Sequence, residues 1–141
     1  MERYKVKRML FQYRNLVKEC HHLKEDTVEL RSQMDGIKAQ RLTGMPKGSQ
    51  RSEVVEINLD KLAELERRWD QKFTEMTDTL VMIDDAIGSL EDSRHRIILR
   101  LRYLNGFEWE RIAYSLGYSW RNTHRLHNEA LDEIGKVFDK M

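Results

Sequence analysis

"EWERIAYSLGYSWRNTHRLH", residues 108–127, is the stretch on which the reading of this chain turns. Its first half places Trp109, Ile112, Ala113 and Leu116 on one helical face. Ala113 is small enough for a second helix to cross closely. Gly117 supplies the backbone freedom of a sharp turn, and Ser119 is a good N-cap for a following helix. In that second helix Thr123, Leu126, Ala130, Ile134 and Phe138 recur at helical spacing and are expected to face inward. The outer face is then Arg121, Asn122, His124, Arg125 and Asn128, with Trp120 near its N-terminal edge and His127 either at its margin or packed sideways. Two short helices joined by a glycine turn make the helix-turn-helix that enters the DNA major groove.

The chemistry of that outer face suits DNA. Arginine bonds bidentately to guanine and asparagine to adenine, so Arg121 and Arg125 are the expected base readers. Residues 94–127 hold seven Lys or Arg against two Asp or Glu, a local basic stripe in a chain whose formal net charge is only +1. Arg94, Arg96, Arg100, Arg111 and Ser119 are expected to hold phosphates. Upstream, Gly88 and Ser89 predict a break and a cap, with Asp92 as the capping-box acid. A helix then carries Leu90, Ile97, Ile98, Leu101 and Leu104 and ends at Asn105-Gly106.

Further out, the chain reads as heptads. Val6, Met9, Tyr13, Leu16, Cys20, Leu23, Thr27, Leu30, Met34 and Ile37 alternate steps of three and four, a coiled-coil seam. Residues 42–52 break it with the only proline and two glycines, and predict a loop. The seam resumes through Val55, Leu59, Leu62, Glu66, Trp69, Phe73, Met76, Leu80, Ile83, Ile87 and Leu90, with Asn58 or Ser52 as its start. The two seams predict an antiparallel hairpin whose layers run from Ile37 with Leu59, through Thr27 with Trp69, to Val6 with Leu90. A heptad slip keeps the periodicity, and pairing between two chains is the rival arrangement. Residues 1–47 hold eleven basic and six acidic side chains, residues 53–93 four and twelve, so the helices are electrostatically complementary. The expected architecture is all-α: a helical hairpin and self-association region over residues 1–90, then a helix-turn-helix domain over residues 91–141. The seams predict a homodimer or small homo-oligomer.

Composition excludes other classes. Apolar residues make up 40% and charged residues 35%, with one proline and one cysteine. One cysteine rules out an intramolecular disulfide framework. No apolar run approaches the roughly 20 residues of a membrane span, and "MERYKVKRM" lacks a signal-peptide core, so a soluble cytoplasmic protein without membrane contact is expected. His124 and His127, or Cys20 with His21 and His22, do not make the three converging ligands a metal needs. Neither a phosphate loop nor a nucleophile elbow is present, and Asp84-Asp85 and Glu91-Asp92 read as solvated or helix-start carboxylates. No metal, cofactor or enzymatic activity is expected.

"RHRIILRLRYLNGFEWERIAYSLGYSWRNTHRLHNEALDEI", residues 94–134, resembles region 4 of sigma-70-type factors, with its Arg-rich helix, glycine break, "W-E-x-I-A", "L-G-Y-S" and polar helix closing on "E-A-L". The whole chain is similar to phage late transcriptional activators of the RinA/ArpU kind, and "KAQRLTGMPKGS" to a loop common among them; the likeness covers roughly residues 30–135. The resemblance implies a sequence-specific activator acting on double-stranded DNA in a host bacterial cytoplasm, with host RNA polymerase as a candidate partner. Phage small terminase subunits, which join a helix-turn-helix to oligomerising helices, are the alternative, and a helical protein-interaction module is another. Two positions depart from the pattern. Glu108 stands where the family often has Ser or Thr, a poorer cap, and Thr123 replaces the usual inner aliphatic residue.

Overall fold

The computed structural model describes the backbone of residues 1–42 and 49–141, and the side chains of residues 1–36 and 56–141. All its elements are helical. α1 spans Arg3–Leu42, α2 Ser49–Gly88, α3 Ser93–Leu99, α4 Trp109–Leu116 and α5 Trp120–Asp139, with a π-helical turn, Arg100–Leu104, continuing α3. α2 starts before both expected positions, Ser52 and Asn58, so Leu42 and residues 49–52 of the expected loop are helical. Residues 43–48, and the side chains of Ile37 and Val55, lie outside the described residues.

The heptads decide α1 and α2. Along α1 every seam residue from Val6 to Met34 is buried or half-buried, while nearly all others are exposed. The chain divides into two compact units, Lys18–Glu75 and Met1–Val17 with Met76–Met141; the division expected between residues 90 and 91 falls inside the second of these. In the unit Lys18–Glu75 the two helices run antiparallel. Thr27 and Trp69 line one cleft between them, in agreement with their expected layer, while Leu30 lines another with Leu65, next to the Glu66 expected to face it. Arg31 pairs with Glu66 at 2.6 Å and Lys72 with Glu19 at 2.9 Å, so the charge complementarity of the two helices is used within the chain. Leu59 and Phe73, expected inside the seam, are 49% and 41% exposed. A lone helix pair covers each seam residue from one side only, and Phe73 instead stacks on Trp69 at 5.0 Å.

The other unit has a continuous core. Val6 and Leu10 of α1 and Ile83, Ala86 and Ile87 of α2 pack with Ile98, Leu99 and Tyr103, with Ile112, and with Leu126, Ala130, Leu131, Ile134 and Phe138 of α5. All five residues expected on the inner face of α5 are buried. Ile97, expected inside, is 46% exposed, and Leu99 takes the buried position. The α2–α3 joint also differs from expectation. The N-cap of α3 is Asp92, whose Oδ1 accepts the Arg94 N–H at 2.8 Å. Ser89 ends α2 instead, its hydroxyl donating to the Ala86 carbonyl at 2.7 Å, because α2 continues to Gly88 and leaves no room for a cap there.

Two glycines close the remaining turns. Gly117 has φ +68, the left-handed conformation expected of it. The Tyr118 N–H donates to the Ala113 carbonyl and the Gly117 N–H to that of Tyr114, a Schellman termination of α4. Gly106 has φ +73, and a Cβ there would lie 2.4 Å from the Arg14 guanidinium of α1. Arg14 Nη1 donates to the Leu104 carbonyl at 3.4 Å. Gly106→Ala therefore meets both backbone strain and a displaced arginine, and is expected to lower unfolding free energy by about 1–2 kcal/mol in denaturant titrations.

Candidate nucleic-acid interface

The first turns of α5 are built from a cap, an anchored inner side and an open outer side. Ser119 is extended (φ −65, ψ 161) and its Oγ accepts the Asn122 N–H at 3.2 Å. Thr123 is fully buried, and its hydroxyl donates to the Ser119 carbonyl at 2.8 Å. The buried Thr123 hydroxyl is thus satisfied within the turn. With Thr123 and Leu126 inside, a step of 100° per residue carries Arg121 and Arg125 outward, one above the other. Both are exposed. Arg125 donates to Asn122 Oδ1 at 3.0 Å and lies 3.7 Å from Glu129, while Arg121 makes no ion pair among the described residues. Asn128, the last expected reader, is half-buried. Beyond it the surface turns acidic with Glu129, Asp132 and Glu133. Arg3 holds Asp132 through two bonds of 2.8 Å and keeps its carboxyl below the usual range. In the second half of α5 the one exposed cation among the described residues, Lys136, is paired with Glu133 at 2.9 Å.

The flank beside Arg121 is aromatic. His124 lies between Trp109 of α4, at 4.7 Å between ring centroids, and Trp120, at 4.4 Å. It is half-buried, and its Nε2 is enclosed without a hydrogen-bond partner among the described residues. His124 therefore does not stand with Arg121 and Arg125 on the open side. Trp120 does remain open, at 56% exposure. One turn further, His127 is buried. It meets Trp109 edge-on at 4.4 Å and shares a 2.7 Å hydrogen bond with the Tyr103 hydroxyl. Burial, with smaller contributions from Lys7, His124 and Arg102, pushes its imidazole down to about 3. Burial also raises the Tyr103 phenol. Neither residue stood out in the sequence as a pair; both sit on inward helical positions, which was the available signal.

The arginines expected to hold phosphates divide differently. Arg96 Nη1 donates to the carbonyls of Leu90 and Glu91 and ties the α2–α3 joint. Arg100 pairs with Asp84 of α2. Arg94 is exposed but bonded to Asp92, whose carboxyl it holds well below its ordinary range. Arg111 is exposed, its guanidinium 3.7 Å from the centre of the Phe107 ring. Arg102, part of the basic stripe, donates to the Phe107 carbonyl and lies over the Trp109 ring at 4.8 Å. Much of the stripe is thus committed to holding the unit together. The cations left at the surface are Arg121, Arg125 and Arg111, with Arg94 within reach once it gives up an exposed pair.

Glu108 is extended and makes no side-chain cap bond to α4, the weakness expected of a glutamate at that position. No described helix is long and apolar enough to cross a membrane. Comparison with protein-family models, curated proteins and solved structures returned no match.

Proposed function

We propose that this chain is a sequence-specific DNA-binding transcriptional regulator, of the kind that serves phage late genes. The observation that carries the reading is the pair Arg121 and Arg125, open and one turn apart at the start of a helix whose cap and inner face are fixed. A recognition helix reads base edges with its N-terminal residues, and bidentate arginine is the commonest specific contact to guanine. The glycine turn before Ser119 and the acidic second half of α5 agree with an N-terminal approach. Fixed orientation matters because a reading side chain must reach one base edge and not its neighbours.

Self-association is part of the proposal. Val28, Leu59 and Phe73 leave apolar surface exposed on the helix pair, which a second copy would cover to make a dimer. Selection of bound duplexes from random DNA tests both statements. The expected result is one enriched motif containing guanines, arranged as two half-sites. Absence of any enriched sequence at low salt would overturn the DNA-binding reading, and a single unrepeated half-site would overturn the dimer.

A further inference from the structure

Trp120 is the first residue of α5, directly after the cap. Its indole is 56% exposed. It is not loose. The His124 ring lies 4.4 Å away at 57°, and His124 itself rests on Trp109 at 4.7 Å. The three rings form a chain of tilted contacts from α4 to the edge of the open face, with His124 in the middle. His124 leaves Nε2 enclosed and unpaired among the described residues, so its place is set by ring contact and not by a hydrogen bond. The Trp120 indole N–H has no partner among the described residues.

We infer that Trp120 determines specificity for thymine beside the base pairs that Arg121 and Arg125 read, and that His124 is its positioning residue; this rests on the DNA-binding reading above. The major groove offers one apolar base-edge group, the 5-methyl of thymine, and beside it the O4 acceptor. An indole carries the complement of both, an apolar ring edge and a single N–H donor. Cytosine lacks the methyl and presents a donor where thymine has O4, so it opposes the indole at both points. Guanine and adenine have no methyl. An unheld tryptophan would lose rotamer freedom on binding; the contact with His124, itself set against Trp109, lowers that cost beforehand.

The test uses the full chain and duplexes of its selected site in which each thymine in turn is replaced by deoxyuridine, removing the methyl alone. Wild-type protein is expected to bind one such duplex about fourfold more weakly, the equivalent of one buried methyl group. Trp120→Ala is expected to bind the thymine and uridine duplexes equally while still rejecting changes at the guanines. His124→Ala is expected to blunt the thymine preference, and His124→Phe, which keeps a ring in the stack, to restore it. A wild-type protein indifferent to every uridine, a selected site without thymine, or a Trp120→Ala variant that keeps the preference would overturn the inference while leaving DNA binding standing. Failure of the chain to bind any duplex would overturn both.

Discussion

Replacing Arg121 and Arg125 together by alanine is expected to cost about 2–6 kcal/mol of specific DNA affinity, roughly 30-fold to 10⁴-fold, and to erase preference at two base pairs. Both guanidiniums are exposed on adjacent turns of α5. What Arg125 must surrender to reach a base is small, since its contacts with Asn122 and Glu129 are exposed and separately worth little. The fold should be untouched, because the inner face of α5 does not include either residue. A fluorescence titration against specific and scrambled duplexes reads the effect, and unchanged specific binding would refute the assignment. Arg96→Ala and Arg100→Ala provide the contrast. Their guanidiniums bond to the Leu90 and Glu91 carbonyls and to Asp84. Their loss is expected to lower thermal stability while leaving the specificity of the folded protein intact.

Acidification from pH about 6.5 to about 3 is expected to destabilise the unit that contains His127. The unfolded chain takes up a proton on this imidazole near pH 6.5, whereas the native state, where burial pushes the group down to about 3, refuses it. Stability from this group is therefore complete above pH 6.5 and is lost as pH falls, by up to about 1.4 kcal/mol per unit. Denaturant unfolding at a series of pH values measures the slope. The double variant Tyr103→Phe/His127→Leu removes the titrating group and the hydroxyl that would otherwise be stranded, a pairwise replacement that can be nearly neutral at pH 7. Between pH 7 and pH 4 the wild type is expected to lose roughly 3 kcal/mol more than the double variant. Asp92 and Asp132, held below their usual range by Arg94 and Arg3, add acid sensitivity at lower pH. They do so in both proteins, so the difference belongs to His127. Equal slopes would show that the imidazole is hydrated in the native state.

The sequence by itself determined most features that depend on neighbours along the chain. The seam from Val6 to Met34 follows from steps of three and four, because a helix returns to the same side in that count. The turn at Gly117, the cap at Ser119 and the buried face of Thr123, Leu126, Ala130, Ile134 and Phe138 follow from the same local rules. Arg121 and Arg125 as open cations were legible for that reason too. Local rules were weaker where two signals lay close together: Ser89 and Asp92 both cap well, and the length of α2 chose between them.

Tertiary structure alone decided which of the basic and aromatic side chains are free. Arg96 and Arg100 look like Arg121 in a sequence, but the joint between α2 and α3 and the end of α2 consume them. His124 has outward spacing on α5, yet Trp109 reaches it from α4 and draws it off the open face. Tyr103 and His127 are 24 residues apart and meet only because α5 packs behind the π-helical turn. The physical reason is common to all of them. Helical period specifies the direction in which a side chain leaves its own backbone, and it is silent about what another helix places there. Charge and hydrogen-bonding capacity are therefore visible in the sequence, whereas their availability to DNA is a property of the packed unit.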